Sequence, residues 1–309
     1  NNNMLQKLLF CSVFLIATYI DAQPKLENAV NVERNVIYGM YSGLALVMDV
    51  YHPKNPNGFA IVQISGSGWT RPLGYDARIL NHQGHVKADG EAMLAAGYTL
   101  FALNHRATPR FTYPDQVEDA QRAVRFIRFH AKRYKISPDK IGVIGGSSGG
   151  HLVSMLVVLD GDEFTKDDGA INQLSGKVQC VVARAAPASF IDGQDANYFL
   201  GFREKERLIE GSIEYLIATE ASPIYHVSPD DAPILLVHGD VDETVLFSQS
   251  EQMHEKLSEA GVISKLLRIK EGGHGYNFAG ATNLPDLAVT YVQWMDKHLT
   301  RPVACPSPS

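Results

Sequence analysis

The sequence predicts an α/β fold built on a mostly parallel, eight-stranded sheet flanked by helices. Three observations carry this expectation. Strand-like segments recur along the chain with helical segments between most of them, the order that yields a parallel sheet with crossover helices. The later strand segments, such as "IGVI" at Ile141–Ile144 and "ILLV" at Ile234–Val237, are continuous apolar runs, as expected of strands covered by helices on both faces. Pro114–Tyr134 places Val117, Ala120, Val124, Ile127 and Ala131 on one helical face, with Arg and Glu on the other.

Taken in order, Asn35–Met40 and Leu44–Tyr51 are close enough in sequence to form a hairpin. Further strands are expected at Phe59–Ile64, Tyr98–Leu103, Ile141–Ile144, Gln179–Ala185, Ile234–Val237 and Ser264–Ile269. Helices are expected at Val86–Ala96, at Pro114–Tyr134, at Gly149–Leu159, at Val245–Ala260 with Gly261 as its stop, and at Pro285–Leu299. Pro114 suits a first helical turn because its fixed φ is already helical. Between Pro187 and Ser222 the alternation lapses into a polar segment holding Phe190, Tyr198, Phe199, Phe202 and Tyr215. Its place after a strand end predicts a small cap over a site; the alternative is a surface excursion that touches no substrate.

The chain has 309 residues, 45% hydrophobic and 20% charged, which suits a single globular domain near the upper size for one core. Its net charge of −6, with Lys and Arg scattered, lacks the basic footprint of a nucleic-acid partner. Lys7, the apolar run Leu8–Ile20 and the small residue Ala22 have the pattern of a secretory signal peptide. The run is too short to span a bilayer. The expected organisation is therefore a signal peptide over residues 1–22, one α/β domain over 23–300 and a Pro-rich tail over 301–309. A secreted or periplasmic protein follows, with no membrane association after cleavage. Beyond the leader, Cys180 reads as a buried thiol and Cys305 as a loose one in the tail.

The chemistry is concentrated in four short stretches. "GGSSGG", Gly145–Gly150, contains G-x-S-x-G twice over, once for Ser147 and once for Ser148, between an apolar strand and a helix. A tight turn there needs small neighbours and leaves a serine Oγ exposed, and spacing alone does not choose between the two serines. A phosphate-binding loop of this kind would carry a Lys, which is missing. An unactivated serine hydroxyl is a weak nucleophile and needs a base, with a third group to orient that base. "HGDVDETV", His238–Val245, puts carboxylates just past a strand end, and "EGGHGY" puts His274 in a glycine-rich loop past the next strand. Serine, acid, histidine is the chain order of an α/β-hydrolase triad. "ISGSGW", Ile64–Trp69, follows the strand Phe59–Ile64 and can aim backbone N–H groups of Ser67 and Gly68 at an oxyanion. Trp69, Tyr75, Tyr113 and Tyr276 are the aromatic residues near these stretches, each expected either to line a sugar or aryl pocket or to serve in packing.

"LNHRATPRFTYPDQVEDAQRAVRFI", "DKIGVIGGSSGGH", "SPIYHVSPDDAPILLVHGDVDETV" and "GGHGY" together resemble α/β-hydrolase esterases of the acetyl-xylan and feruloyl esterase type. That group is related to the hormone-sensitive-lipase-like carboxylesterases, and the likeness runs from about Asn35 to His298. It implies cofactor-free hydrolysis of short-acyl or aryl carboxylic esters, often on plant polysaccharide. The motif G-x-S-x-G-G-H lays the nucleophile on Ser147 and makes Ser148 a backbone donor to the oxyanion. The motif H-G-x-x-D lays the orienting acid on Asp242, leaving Asp240 as a loop carboxylate and His238 as structural. Two departures stand out. Ser65-Gly66-Ser67-Gly68 replaces the usual His-Gly-Gly-Gly, so the loop must be braced differently and the Ser67 hydroxyl becomes a further donor. Asn104-His105-Arg106 replaces Asp-Tyr-Arg, with His105 expected to pack rather than act as a base. A propeller-less peptidase resembling prolyl-oligopeptidase-like catalytic domains, and a binding protein that kept the fold without the chemistry, are the alternative readings.

Overall fold

The computed structural model describes residues 24–82, 84–161, 169–191, 196–202 and 209–300. The expected signal peptide, the tail with Cys305 and parts of the cap segment therefore lie outside the described residues. Eight strands form one sheet: β1 (Ala29–Tyr41), β2 (Leu44–Pro53), β3 (Ala60–Ile64), β4 (Thr99–Leu103), β5 (Ile141–Gly146), β6 (Cys180–Arg184), β7 (Ile234–Gly239) and β8 (Ser264–Ile269). Their order is β1-β2-β4-β3-β5-β6-β7-β8. β1 pairs antiparallel with β2, and β2 antiparallel with β4; every other pairing is parallel.

The helices are α1 (Gly84–Ala95), α2 (Asp115–Phe129), α3 (Ala131–Tyr134), α4 (Ser148–Val158), α5 (Asn197–Leu200), α6 (Ile213–Glu220), α7 (Ser248–Glu259) and α8 (Leu287–Leu299). The sheet divides the core in two because successive strand side chains point to opposite faces. Val62, Val143 and Val181 pack with Val124 of α2, Leu152 of α4 and Met253 of α7. Ile61, Ile144 and Val182 pack with Val86 and Met93 of α1 and Met295 of α8. Cys180 belongs to this second layer as a buried free thiol, and burial pushes its pKa well up.

Where boundaries differ from the sequence expectation, a local cause is visible. β1 begins at Ala29 rather than Asn35, because register irregularities between Ala29 and Asn31 and between Glu33 and Val36 break its alternation. Pro114–Tyr134 is two helices, since His130 leaves the helical region (φ −94, ψ 16) with its ring against Phe126 and Phe129. α8 starts at Leu287, where the Asp286 carboxylate accepts the Val289 N–H at 3.0 Å and caps the helix. α7 starts at Ser248, three residues after Val245, whose N–H is engaged by Asp242 in the loop before it.

Candidate active site

Ser147 occupies the turn from β5 into α4 at φ 54 and ψ −126, a backbone region that costs a non-glycine residue on the order of 1–3 kcal/mol. The surrounding packing fixes it there. The Ser147 N–H donates to the Arg184 carbonyl at 2.8 Å, and the His151 N–H donates to the Ser147 carbonyl at 2.9 Å. The motif glycines are required by close approach: a Cβ on Gly149 would run into the Ile64 carbonyl, and one on Gly66 would stand 2.6 Å from the Gly146 carbonyl oxygen.

The exposed Oγ of Ser147 lies 3.0 Å from His274 Nε2, and His274 Nδ1 lies 2.7 Å from Asp242 Oδ2. An ionised carboxylate only accepts, so Nδ1 carries the proton and Nε2 is left to accept from the serine. Asp242 is itself fixed, its Oδ1 accepting the N–H groups of Thr244 and Val245 at 2.9 Å each. Burial alone would raise its pKa. The hydrogen bonds from His238, His274 and the Val245 N–H outweigh that and hold it well below the ordinary carboxylate value. Asp240, two residues earlier, faces elsewhere and pairs with Arg268 Nε at 2.8 Å while accepting the Glu271 N–H at 2.7 Å. His238 is structural in this geometry, with Nδ1 at 2.7 Å from Ser250 Oγ and Nε2 at 2.9 Å from the Val245 carbonyl.

Ser148 is buried, and its Oγ accepts the Ser67 N–H at 2.8 Å. This corrects one expectation: the Ser67 backbone N–H is committed to Ser148 and does not serve as an oxyanion donor. Gly68 remains in place on the cavity wall, and the Ser148 N–H is one of the first N–H groups of α4, which have no intrahelical partner. The Ser148 hydroxyl also helps brace the loop in the absence of a histidine at Ser65, whose own Oγ pairs with the Gln63 side chain at 3.3 Å.

The other brace is Trp69, which stacks on Phe199 with ring centroids 4.3 Å apart and donates its Nε1–H to His151 Nδ1 at 3.2 Å. Trp69 is therefore core rather than pocket lining, because the turn at Gly68 and its own positive φ of 56 direct the indole under the cap. Tyr113 is also buried, packed on Phe199 with its hydroxyl donating to the Glu220 carbonyl at 3.1 Å. Tyr75 is fully exposed and lines no part of the cavity. Tyr276 lies at the rim, half-exposed, its ring edge-on to His85 at 5.2 Å. The cap residue that does approach the loop is Tyr198, whose hydroxyl lies 3.1 Å from the position of a Cβ on Gly68.

The cavity over Ser147 has a volume of about 330 Å³. Its walls include Ser67, Gly68 and His274, as expected, Thr244 from the stretch His238–Val245, and also His85 and Arg184, which no motif had indicated. Arg184 had one legible signal, a charge at the end of the apolar strand "CVVAR". His85 stands outside every motif and is brought to the site only by the packing of α1.

Two further histidines affect stability rather than chemistry. His105 and His151 are buried, and burial holds the pKa of each at about 4 against an ordinary 6.5. Between those values the unfolded chain binds more protons than the folded one, so stability falls as pH drops from about 6.5 toward 4. Each histidine accounts for about 3 kcal/mol of that loss. Urea denaturation at pH 7.0, 5.5 and 4.5 is expected to show a falling midpoint; an unchanged midpoint would contradict the burial of neutral imidazoles.

A serine at the turn after β5, a carboxylate after β7 and a histidine after β8, on a sheet of this order, define an α/β-hydrolase. Residues 48–257 match the BD-FAE family, and the chain belongs to it. It is 27% identical over 274 residues to "Probable carboxylic ester hydrolase LipM" of Mycobacterium tuberculosis, covering 84% of this chain and 60% of that protein. It is 23% identical to "Acetylxylan esterase" of Xylanibacter ruminicola, covering 89% of this chain and 51% of that one. The chain thus spans about half to three-fifths of the length of these curated relatives. Among solved structures, a truncated form of a carbohydrate esterase from gut microbiota superposes with a TM-score of 0.73 at 25% identity, covering 90% of this chain and 100% of that one.

Proposed function

We propose that this chain is a serine esterase that hydrolyses carboxylic esters through an acyl-enzyme. The observation that carries the reading is the continuous hydrogen-bonded line from Ser147 Oγ through His274 to Asp242, at 3.0 and 2.7 Å. Ser147 attacks the ester carbonyl as His274 Nε2 takes its proton. The same imidazolium returns the proton to the leaving alcohol, while Asp242 keeps the ring in the productive tautomer. Water then repeats the sequence to release the acid. The N–H groups of Gly68 and Ser148 stabilise the tetrahedral oxyanion, each such donor lowering the barrier by roughly 3 kcal/mol. The leader over residues 1–22 belongs to the same reading and directs the enzyme to the periplasm or outside the cell.

The substrates are short-acyl or aryl esters, with acetyl or feruloyl groups on plant polysaccharide as the natural class. Support comes from the relative named acetylxylan esterase, from the carbohydrate esterase of the same fold, and from the cavity, which at about 330 Å³ is at the small end of the range for ligand sites. A pocket that buries only a short chain gains about 0.8 kcal/mol for each methylene it covers and nothing for those left in water. The expected result is kcat/KM falling from p-nitrophenyl acetate or butyrate to octanoate, with acetate or ferulate released from xylan. If octanoate were the best substrate and neither group left xylan, the carbohydrate-ester reading would fail while the serine chemistry stood.

A further inference from the structure

Three polar atoms around the cavity have no partner among the described residues. Ser67 Oγ, His85 Nδ1 and Arg184 Nε are all buried, and all three residues line the cavity over Ser147. Buried polar atoms are nearly always hydrogen-bonded, so three orphans around one cavity point to a group that enters it. Arg184 is the most firmly held. Its side chain is 2% exposed, its NH2 donates to Asp89 Oδ2 at 2.7 Å, and its guanidinium lies 3.3 Å from where a Cβ on Gly146 would stand, close to the nucleophile turn. Asp89 also accepts from Gln63 Nε2 at 3.2 Å, which fixes the ion pair as a rigid wall.

Charge decides which chemical class fits. Asp89 already balances Arg184. His85 is neutral, because burial, with the charge of Arg184 adding to it, holds its pKa at about 4. An anion here would bring a second negative charge toward Asp89, with no second Lys or Arg among the described residues of the cavity wall to meet it. An alkyl group would leave all three polar atoms unsatisfied. A neutral, hydroxyl-bearing group satisfies them without adding charge.

Position decides which half of the ester carries that group. The leaving alcohol must lie against His274 Nε2, the atom that protonates it. His85 lines the same cavity as His274, and its ring packs on Tyr276, two residues further along the same loop. We infer that Ser67, His85 and Arg184 form a polar subsite for free hydroxyl groups on the alcohol portion of the ester, with His85 as a specificity-determining residue. This rests on the ester hydrolysis proposed above.

The test compares kcat/KM for glycerol monoacetate and propyl acetate, which share an acyl group and a three-carbon alcohol and differ in two hydroxyls. Ethyl 3-hydroxybutyrate and ethyl butyrate form the matched acyl-side pair, and p-nitrophenyl acetate reports the hydrolase activity by itself. The wild type is expected to favour glycerol monoacetate by about tenfold or more, the worth of one to two net hydrogen bonds. His85→Phe keeps the ring and removes the polar atom, and should bring that ratio close to one. The double variant Asp89→Leu with Arg184→Met removes the ion pair without stranding either charge, and should reduce the ratio as well. A purely structural role would lower both esters together and leave their ratio alone. A flat ratio in the wild type, a ratio unchanged in both variants, or a hydroxyl preference confined to the acyl-side pair would overturn the subsite. Failure of the wild type to cleave p-nitrophenyl acetate would instead overturn the esterase reading beneath it.

Discussion

Ser147→Ala is expected to lower kcat for ester hydrolysis by roughly 10⁶-fold, the loss seen when a triad nucleophile is removed. The fold should persist, because the turn is held by backbone hydrogen bonds from the Ser147 N–H and to its carbonyl, which alanine keeps. Thermal unfolding of the variant should accordingly match the wild type. A fluorophosphonate probe should modify wild-type Ser147 and leave the variant unlabelled, with peptide mapping identifying the residue. Ser148→Ala is the informative comparison. Its hydroxyl accepts the Ser67 N–H and helps position the oxyanion loop, so its loss should cost on the order of tenfold, the scale of one net hydrogen bond. Labelling on Ser148, or a larger loss there than at Ser147, would reverse the assignment of the two serines.

The two serines also show where the sequence was sufficient and where it was not. Both satisfy the same glycine spacing; the resemblance to G-x-S-x-G-G-H lays the nucleophile on Ser147, and His274 Nε2 stands 3.0 Å from its Oγ. The inner strands were legible because each is an apolar run between turn residues, a property local to the chain, whereas the mixed, half-exposed β1 showed only its second half. The serine, acid and histidine were legible because each stands just beyond such a run. The pocket walls were not. Trp69 and Tyr113 are adjacent in sequence to site motifs yet point into the core, because Phe199 of the cap offers each an aromatic face. His85 and Arg184 are remote from every motif in sequence yet reach the cavity, one from α1 and the other from the end of β6. Proximity along the chain predicts backbone placement well; the direction of a side chain depends on partners supplied by distant segments.

The carboxylates of "HGDVDETV" give the last expected result. Both Asp240 and Asp242 follow β7, and both accept hydrogen bonds, but their partners differ in kind. Asp240 holds Arg268 and the Glu271 N–H, contacts that shape a loop. Asp242 holds the imidazole that must accept and return the proton. Asp242→Asn leaves an oxygen to satisfy the Thr244 and Val245 N–H groups, so the loop should survive. Its amide nitrogen cannot accept from His274 Nδ1–H, however, and the wrong tautomer or a turned ring follows. The expected loss is roughly 10⁴-fold in kcat, the size recorded when a triad acid is neutralised. Asp240→Asn removes an ion pair whose arginine is largely exposed, and such pairs contribute little, so its effect on kcat should stay within a few-fold. Measured kcat for the two variants on p-nitrophenyl acetate decides the matter. Equal losses, or a greater loss for Asp240→Asn, would mean that the acid acts through the loop rather than through His274.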